Sequence, residues 1–298
     1  MAVFSVAVVP PPVARAMFYP VRLRALLIGR TVSNVHCLVD WLLVCKARGD
    51  MSREIISLTG LRRDGRKADE ARKTNVRLGP VHGADGSAYF EQGENKVLAH
   101  VSGPKVPTRK SGDISSKGVV RCTYSVAAFA RTGYRRATTH DRRQSSESNT
   151  IKEIFEHVIQ LHLLPGSEIN IYVEVLQADG GELCSCLNAV SLALIHAGVP
   201  CRDFVTAATT GYYEGQFLMD LNYFETSANQ LPLLELAILP NTGELVFVRL
   251  ANRIAMDVFK RMIETGVRGC KSMHAILKED VTANQVQIVS SRMEGEKE

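Results

Sequence analysis

The side chains with the clearest chemical potential lie in one basic stretch of the 298-residue sequence, residues 105–143. It holds ten bases and two acids, namely Lys105, Arg109, Lys110, Lys117, Arg121, Arg131, Arg135, Arg136, Arg142 and Arg143, with Asp113 and Asp141. So many like charges repel one another unless they meet an anionic partner. An arginine pair such as Arg142 and Arg143 suits phosphate, because each guanidinium donates two parallel hydrogen bonds. The stretch therefore predicts contact with a nucleic-acid backbone, with a solvated charged loop as the alternative.

The distribution of charge is more informative than its sum. The formal net charge is +5, to which residues 1–50 contribute +4 and residues 105–143 contribute +8, so the remainder carries −7. The sequence is a mildly acidic body with one concentrated basic stretch. Its 45% hydrophobic and 22% charged residues are typical of a globular protein and exclude collagen-like, disordered and disulfide-rich classes.

Cysteine usage and hydropathy exclude further classes of protein. The seven cysteines are odd in number and form no CxxC pair or other metal-ligand spacing, so we expect structural thiols and no metal site. The most apolar stretch, residues 25–45, is interrupted by Arg30, His36 and Asp40. Since a membrane span needs about 18 uninterrupted apolar residues, we expect no membrane partner.

Residues 1–50 differ from the rest and are predicted to be an N-terminal extension. The first 39 residues contain no acid and four arginines, which loosely fits an organellar transit peptide. A disordered extension, or a start assigned too early with Met51 as the working start, are the alternatives, and we favour a dispensable extension. We place the folded domain at residues 51–283 and a frayed C-terminal tail at 284–298.

Strands and isolated helices alternate along residues 51–283. Ile169, Ile171, Val173 and Val175 recur at every second position and predict a half-buried strand. Hairpin strands precede residue 104, and a strand at 119–129 is expected to place Tyr124 and Phe129 in the sheet core. Further segments are predicted as helices at 151–161, 182–197 and 253–278, and as strands at 204–210, 216–220, 233–239 and 244–250. This pattern predicts an α+β fold with mixed sheets packed against helices.

Several motifs together resemble the ribonuclease PH family, and within it the ring subunits of the RNA exosome. They are Arg62-Arg-Asp-Gly-Arg66, Ala84-Asp-Gly-Ser-Ala88, Gly93, Gly103-Pro104, Gln177-Ala-Asp-Gly-Gly181, and Asn188-Ala followed by Ala197-Gly-Val-Pro200. The resemblance spans residues 55–281 in the family's order. It implies the ribonuclease PH fold, which is like ribosomal protein S5 domain 2, and a six-membered ring of such subunits around an RNA channel.

The resemblance also implies where a phosphorolytic site would lie. Active relatives cleave the 3′ end of RNA with phosphate, and their Gly-Gly pair is usually followed by Thr or Ser and then Arg. The pocket uses a helix N-terminus, where free N–H groups and the dipole favour an anion. Here Gly180 and Gly181 precede Glu182 and Leu183. We expect a degenerate phosphate pocket, in which Glu182 either occupies the anion position or turns outward.

The second half of the implied site is also altered. Active relatives carry two aspartates six residues apart, whereas here Asp220 is followed by Glu225 and Thr226. A single carboxylate serves poorly in metal binding or acid–base catalysis. Asp220 is therefore expected to be a relic or a structural hydrogen-bond acceptor in preference to a weak catalytic candidate, and Glu225 to point elsewhere. No cofactor is expected, and phosphate and magnesium would be needed only if the site were active.

The basic residues fit the resemblance better. Asp141-Arg142-Arg143 resembles the family's Arg-Arg segment, which meets phosphate or the RNA backbone. Arg109 and Lys110 lie where the family's loop faces the channel, and Arg135 and Arg136 are similar candidates for RNA-backbone binding.

Three functions follow from these observations. The favoured one is a non-catalytic ring subunit of the RNA exosome that threads RNA to an associated 3′-to-5′ nuclease. The alternatives are an active phosphate-dependent 3′-to-5′ exoribonuclease that releases nucleoside diphosphates, and a structural brace without RNA contact. The implied partners are RNA, paralogous ring subunits, S1/KH cap proteins and a separate hydrolytic nuclease. The implied compartments are nucleus, nucleolus and cytoplasm, with an organelle as the alternative suggested by residues 1–50.

Overall fold

The first of two β-sheets contains strands that the alternation of apolar and polar residues in the sequence predicts. The computed structural model describes residues 55–57, 59–106, 118–131, 141–228 and 231–295. The strands of this sheet are β1 (Thr74–Leu78), β2 (Gly86–Gln92), β3 (Asn95–Lys105), β4 (Val119–Val126) and β5 (Glu168–Gln177). Their order is β1-β2-β3-β5-β4, and only β4 and β5 run parallel. Because parallel neighbours need a crossover connection, the chain between β4 and β5 contains a helix.

Four helices and a second sheet complete the described fold. The helices are α1 (Arg142–Val158), α2 (Glu182–Ala197), α3 (Tyr223–Ala228) and α4 (Met256–Gly295), and a 3-10 turn covers Leu161–Leu163. The second sheet contains β6 (Thr206–Tyr213), β7 (Gln216–Met219), β8 (Leu233–Ile238) and β9 (Leu245–Ala251). Its strands are antiparallel in the order β7-β6-β8-β9.

Helix α2 forms the centre of the core. Its residues from Leu183 to Leu194 are all buried, and the helix contacts strands of both sheets. A helix that is apolar on all sides is stable only when it is covered on all sides. The main cluster of buried side chains therefore joins α2 to the inner face of the first sheet and to α1. Helix α4 packs on β6 and β8 around a second, smaller cluster.

The observed architecture confirms the α+β prediction, with differences at element ends. The predicted strand at 119–129 ends at Val126, and Phe129 follows in a turn. Helix α1 begins at Arg142, earlier than the apolar periodicity from Ile151 indicated, because Asp141 accepts a hydrogen bond from the Arg143 backbone N–H and caps the helix. Helix α4 continues to Gly295, beyond the predicted end at Lys278. No helix in these ranges is long and apolar enough to span a membrane.

Candidate functional site

The Gly-Gly loop, residues 178–181, follows β5 of the first sheet and meets the loop that follows β7 of the second sheet. Gly180 and Gly181 have φ of 76° and 66°, in the left-handed region that favours glycine. A Cβ at Gly180 would lie 2.7 Å from the carbonyl carbon of Asn222 and 2.8 Å from the Tyr223 nitrogen. Glycine thus allows the loop before α2 to touch the loop before α3. This contact places the beginning of α2 beside Asp220.

The beginning of α2 carries an internal ion pair. Glu182 is the first residue of the helix, and its carboxylate accepts a hydrogen bond of 2.5 Å from Nη2 of Arg131. Burial acts to lower the pKa of Arg131, but the bond to Glu182 outweighs it and raises that pKa, so Arg131 stays charged. A carboxylate in the first turn also interacts favourably with the helix dipole. The anion at this helix end is therefore the protein's own, held by the protein's own cation.

The residue after Glu182 points into the protein. Leu183 is 4% exposed and belongs to the main apolar cluster. In the resemblance, this is the position of the family's phosphate-binding arginine. Here the position is filled by core packing, so no guanidinium can reach an anion from it.

Asp220 is buried in an ion pair that sequence reasoning missed. Its side chain accepts three kinds of hydrogen bond from Arg72: from the backbone N at 2.7 Å, from Nε at 3.0 Å and from Nη2 at 2.7 Å. Burial acts to raise the pKa of Asp220, but the charge and hydrogen bonds of Arg72 outweigh it and lower that pKa. Asp220 as a whole is 3% exposed, so its ionised and hydrogen-bonded carboxylate is shielded from solvent.

A second buried pair accounts for Glu225. The Arg62 guanidinium donates to Glu225 from Nε at 2.7 Å and also from Nη2, and both residues are buried. Glu225 also accepts from the Asn222 backbone N–H at 3.0 Å while Asn222 Oδ1 accepts from the Glu225 N–H at 2.9 Å, a capping box at the start of α3. We call Arg62, Arg72, Asp220 and Glu225 the paired cluster.

The paired cluster is linked to its surroundings but offers no open carboxylate pair. Arg62 Nη2 donates to the Asp220 backbone carbonyl at 2.9 Å, which joins the two ion pairs. Thr226 donates its hydroxyl to the Asn222 carbonyl at 2.6 Å, as a helix residue bonding back one turn. Among the described residues, no group of three or more His, Cys, Asp or Glu side chains is placed to hold a metal ion. The local chemistry is that of a structural network.

The predicted cations divide into those the structure describes and those outside it. Arg142 and Arg143 are the first two residues of α1, and both are exposed. Helix α1 packs along β4, with the Ser148 hydroxyl donating to the Cys122 carbonyl at 2.7 Å, so the first turn of α1 lies toward the end of β4 and the turn that carries Arg131. Arg109, Lys110, Arg135 and Arg136 lie outside the described residues and stay predictions.

A further ion network ties α1 to the second sheet. Arg249 on β9 donates to both carboxylate oxygens of Glu147 at 3.0 Å and, through Nε, to Glu235 on β8 at 2.6 Å. Burial raises the pKa of Glu235, and the positive charges of Arg249 and Arg143 lower it by less. The network thus fixes the first half of α1, and with it the position of Arg142 and Arg143.

One aromatic prediction was wrong. Tyr124 is buried at 8% exposure, as expected for sheet core, whereas Phe129 is 71% exposed. Phe129 is solvent-facing because β4 ends three residues earlier and the chain turns. The signal that favoured this outcome was in the sequence, since the alanine-rich run around Phe129 lacks the alternation that characterises the rest of the strand.

Comparison with known proteins gives relatives over most of the chain. A family model described as the 3′ exoribonuclease family, domain 1, matches residues 70–200. The chain is 40% identical to exosome complex component RRP41 of Mus musculus over 226 residues, which cover 75% of this chain and 91% of that protein. It is 38% identical to the RRP41 homolog of Arabidopsis thaliana, covering 79% and 97% of the two chains.

Solved structures show the same fold at lower identity. Rice Rrp46 superposes with a TM-score of 0.66 at 23% identity and covers 74% of this chain and 100% of its own. A chain of the Archaeoglobus fulgidus exosome, solved with RNA bound to its active site, superposes with a TM-score of 0.63 at 18% identity, covering 80% and 98%. These likenesses confirm the fold expected from the sequence motifs.

Proposed function

Because the chain belongs to the ribonuclease PH family of 3′ exoribonucleases, with 40% identity to an RRP41 exosome component, we propose that it is a non-catalytic ring subunit of an RNA exosome. In this role it binds the RNA backbone and guides the strand to an associated nuclease for 3′-to-5′ processing and degradation. The proposal has two parts, RNA binding and absence of phosphorolysis, and different residues support each part.

The observation that carries the second part is the ion pair between Glu182 and Arg131 at the start of α2. A phosphate arriving at this helix end meets a carboxylate rather than a hydroxyl. At about 4 Å, repulsion between unit charges is roughly 1 kcal/mol in water and roughly 4 kcal/mol at an effective dielectric of 20. Leu183 supplies no compensating cation because it is buried in the core.

The paired cluster supports the same part. General acid–base catalysis requires a group within hydrogen-bond reach of the reacting atoms. Asp220 is buried, and its carboxylate is bonded to the backbone and the guanidinium of Arg72. Glu225 is bonded to Arg62 and is equally buried. Neither carboxylate is available to a metal ion or a substrate in this arrangement.

The RNA-binding part is supported by the first turn of α1. Arg142 and Arg143 are exposed there, and guanidinium pairs bind phosphate through two parallel hydrogen bonds. The relatives are named as exosome components, and one solved neighbour is an exosome with RNA bound. We extend this to the partners: RNA, paralogous ring subunits in a six-membered ring, S1/KH cap proteins and a separate hydrolytic nuclease. The nucleus, nucleolus and cytoplasm are the proposed compartments, and fractionation of cells with a tagged chain tests them.

A phosphate-dependent RNA-shortening assay tests the absence of phosphorolysis. The full-length chain is assayed alone and with its co-purifying paralogues, using a 3′-extended single-stranded RNA with and without phosphate. We expect RNA to bind and no nucleoside diphosphate to be released. Release of nucleoside diphosphates by an assembly that contains no other phosphorolytic subunit would refute the proposal.

An active phosphate-dependent exoribonuclease is the second candidate, because Arg142 and Arg143 are exposed in the first turn of α1 and guanidinium groups bind phosphate. In this case phosphate and magnesium would act beside Arg142, Arg143 and Asp220. Any activity should then fall on substitution of Arg142 and Arg143 together in folded protein. Activity that persists after this change belongs to another subunit.

A further inference from the structure

A rigid turn presents one aromatic ring to solvent beside the α2 ion pair. The turn follows β4, and its backbone is bonded at three points: Ala127 N to the Val175 carbonyl at 3.0 Å, Ala130 N to the Ala127 carbonyl at 2.9 Å, and Ala178 N to the Ala130 carbonyl at 3.1 Å. Ala130 is 5% exposed, so its methyl group anchors the turn in the core. Phe129 stands between these anchors with 71% of its surface exposed.

Cationic side chains lie on the segments next to this turn. Arg131 follows Phe129 by two residues and reaches Glu182 on α2. Helix α1 packs along β4 in the opposite direction: Ser148 donates its hydroxyl to the Cys122 carbonyl at 2.7 Å, and Gly118 N donates to the Leu161 carbonyl at 3.2 Å. The first turn of α1, with Arg142 and Arg143, therefore lies toward the end of β4, where the turn begins. The bond from Ala178 to Ala130 attaches the turn to the segment that leads into the Gly-Gly loop. The ring therefore lies at the edge of the candidate site.

Phe129 is the one large apolar side chain that is exposed on the segments of the candidate site that the structure describes. None of the other exposed large apolar side chains of the described residues belongs to this turn, to the Gly-Gly loop, or to the first turns of α1 and α2. Protein-binding surfaces usually expose a contiguous apolar patch of several side chains. A single flat ring flanked by cations is instead the arrangement by which proteins bind single-stranded nucleic acid, with bases stacked on the ring and phosphates near the cations.

We propose that Phe129 is a stacking platform for one unpaired base of single-stranded RNA, next to phosphates bound by Arg142 and Arg143. This inference rests on the proposed RNA-binding function and adds a base contact to it. Stacking on a phenylalanine ring is sequence-tolerant because every base presents a π-face. The rigid turn lowers the entropic cost, since the ring is already held in position before RNA arrives.

A second exposed aromatic residue offers a matched control. Tyr223 is 55% exposed at the start of α3, and its backbone N–H donates to Asp179 Oδ1 at 3.1 Å. The neighbouring Asn222 is bonded to Asp64 at 2.7 Å. The carboxylates beside Tyr223 are paired with arginines, Asp179 with Arg72 and Asp64 with Arg66. The two rings are both exposed but lie on different loops, and only Phe129 lies on the turn toward which the first turn of α1 points. Tyr223→Ala therefore controls for the loss of an exposed ring away from Arg142 and Arg143.

The test measures binding of the full-length chain and of its assembled ring to fluorescent oligouridine, with Phe129→Ala, Phe129→Trp and Tyr223→Ala. Loss of one stacked base costs about 1–3 kcal/mol, so Phe129→Ala should weaken binding by roughly 5- to 150-fold. The slope of log K against log salt should be unchanged, because no phosphate contact is removed. Phe129→Trp should retain binding, and Tyr223→Ala should change it by less than about twofold.

An RNA with abasic sites completes the test. Removing the bases should weaken binding to the wild type and should weaken binding to Phe129→Ala much less, since the ring they stack on is already absent. Equal affinity of wild type and Phe129→Ala for oligouridine would overturn the proposal. Failure of Phe129→Ala to enter the ring, with unchanged affinity of the isolated chain, would instead assign Phe129 to a protein contact. If the wild type binds no RNA in either form, the proposed function itself fails.

Discussion

The paired cluster and the first turn of α1 each contain two arginines, which lie in opposite environments. In the paired cluster, Arg62 and Arg72 are buried and each is bonded to a carboxylate. In the first turn of α1, the side chains of Arg142 and Arg143 are exposed, and the Arg143 backbone N–H donates to the Asp141 side chain. A buried pair contributes to the structure and excludes ligands, whereas exposed cations bind a polyanion at little structural cost. The two regions therefore predict different outcomes of substitution: loss of stability in the paired cluster, and loss of anion binding in the first turn of α1.

Breaking the buried pair should give the largest effect. Asp220→Ala leaves the buried Arg72 guanidinium with one ionic partner, the more distant Asp179 at 3.4 Å, and loss of a partner from a buried ion pair typically costs about 3–5 kcal/mol in unfolding free energy. Urea unfolding at neutral pH measures it. Asp257→Ala, at an exposed position in the first turn of α4, is the matched control and should change the free energy by less than about 1 kcal/mol. A change of similar size in both variants would show that the cluster is not the structural element inferred here.

Acid should remove the same contribution. Because the pKa of Asp220 is lowered in the folded protein, its ionised form stabilises the fold above the ordinary aspartate pKa of about 3.9, and this contribution is lost as pH falls through the lower folded value. Asp220→Asn is therefore most destabilising at pH 7, and the difference from wild type should narrow below about pH 4. Urea unfolding of both proteins at several pH values measures this. A difference that is constant with pH would contradict the ion pair.

These long-range pairs also mark the limit of sequence reasoning. The alternation from Ile169 to Val175 predicted β5, and Gly181 and Gly198 bracketed α2, because period and glycine signals act over a few residues. Arg72 lies 148 residues from Asp220, and no local pattern identifies such a partner. That Asp220 would have a partner was predictable, since a buried carboxylate without one is rare.

The sequence identifies Glu182 as the residue that replaces the Thr or Ser of active relatives, but it does not identify Arg131 as the partner of Glu182. The sequence predicts a strand to residue 129 and a basic loop from Arg131 onward, and it gives no local signal for the partner of Arg131. In the structure the strand ends at Val126, and Arg131 lies in the turn that reaches Glu182. The strand end at residue 129 also predicts a buried Phe129, whereas Phe129 is exposed in the structure. Near a functional surface, the end of a strand decides which side chains face solvent, and strand ends are where propensity signals are weakest.

On the α1 side, substitutions should alter RNA binding and leave stability nearly unchanged. Replacing Arg142 and Arg143 together with glutamate should lower the slope of log K against log salt by about one to two units, at roughly 0.7 per single-strand phosphate contact. Lys152→Glu, on the same helix but outside its first turn, is the control and should leave the slope unchanged. Anisotropy titrations at several salt concentrations, with Tm recorded in parallel, measure both. An unaltered slope with an intact ring would favour the structural brace.

The smallest effect is expected at the boundary between the two regions, where Glu182 pairs with Arg131. The two side chains are 21% and 40% exposed, and such solvent-exposed pairs contribute at most about 1 kcal/mol to stability. Glu182→Gln should therefore leave Tm almost unchanged. Since it frees Arg131 and removes a negative charge next to the exposed cations, it should tighten RNA binding by about two- to fivefold at low salt and by less at high salt. Glu156→Gln, near the other end of α1, removes the same charge away from the site and should have no such effect. Tighter binding confined to Glu182→Gln would show that this carboxylate weakens anion binding at the start of α2. If no nucleoside diphosphate is released, removal of the carboxylate alone does not restore phosphorolysis, because the site also lacks a cation at Leu183.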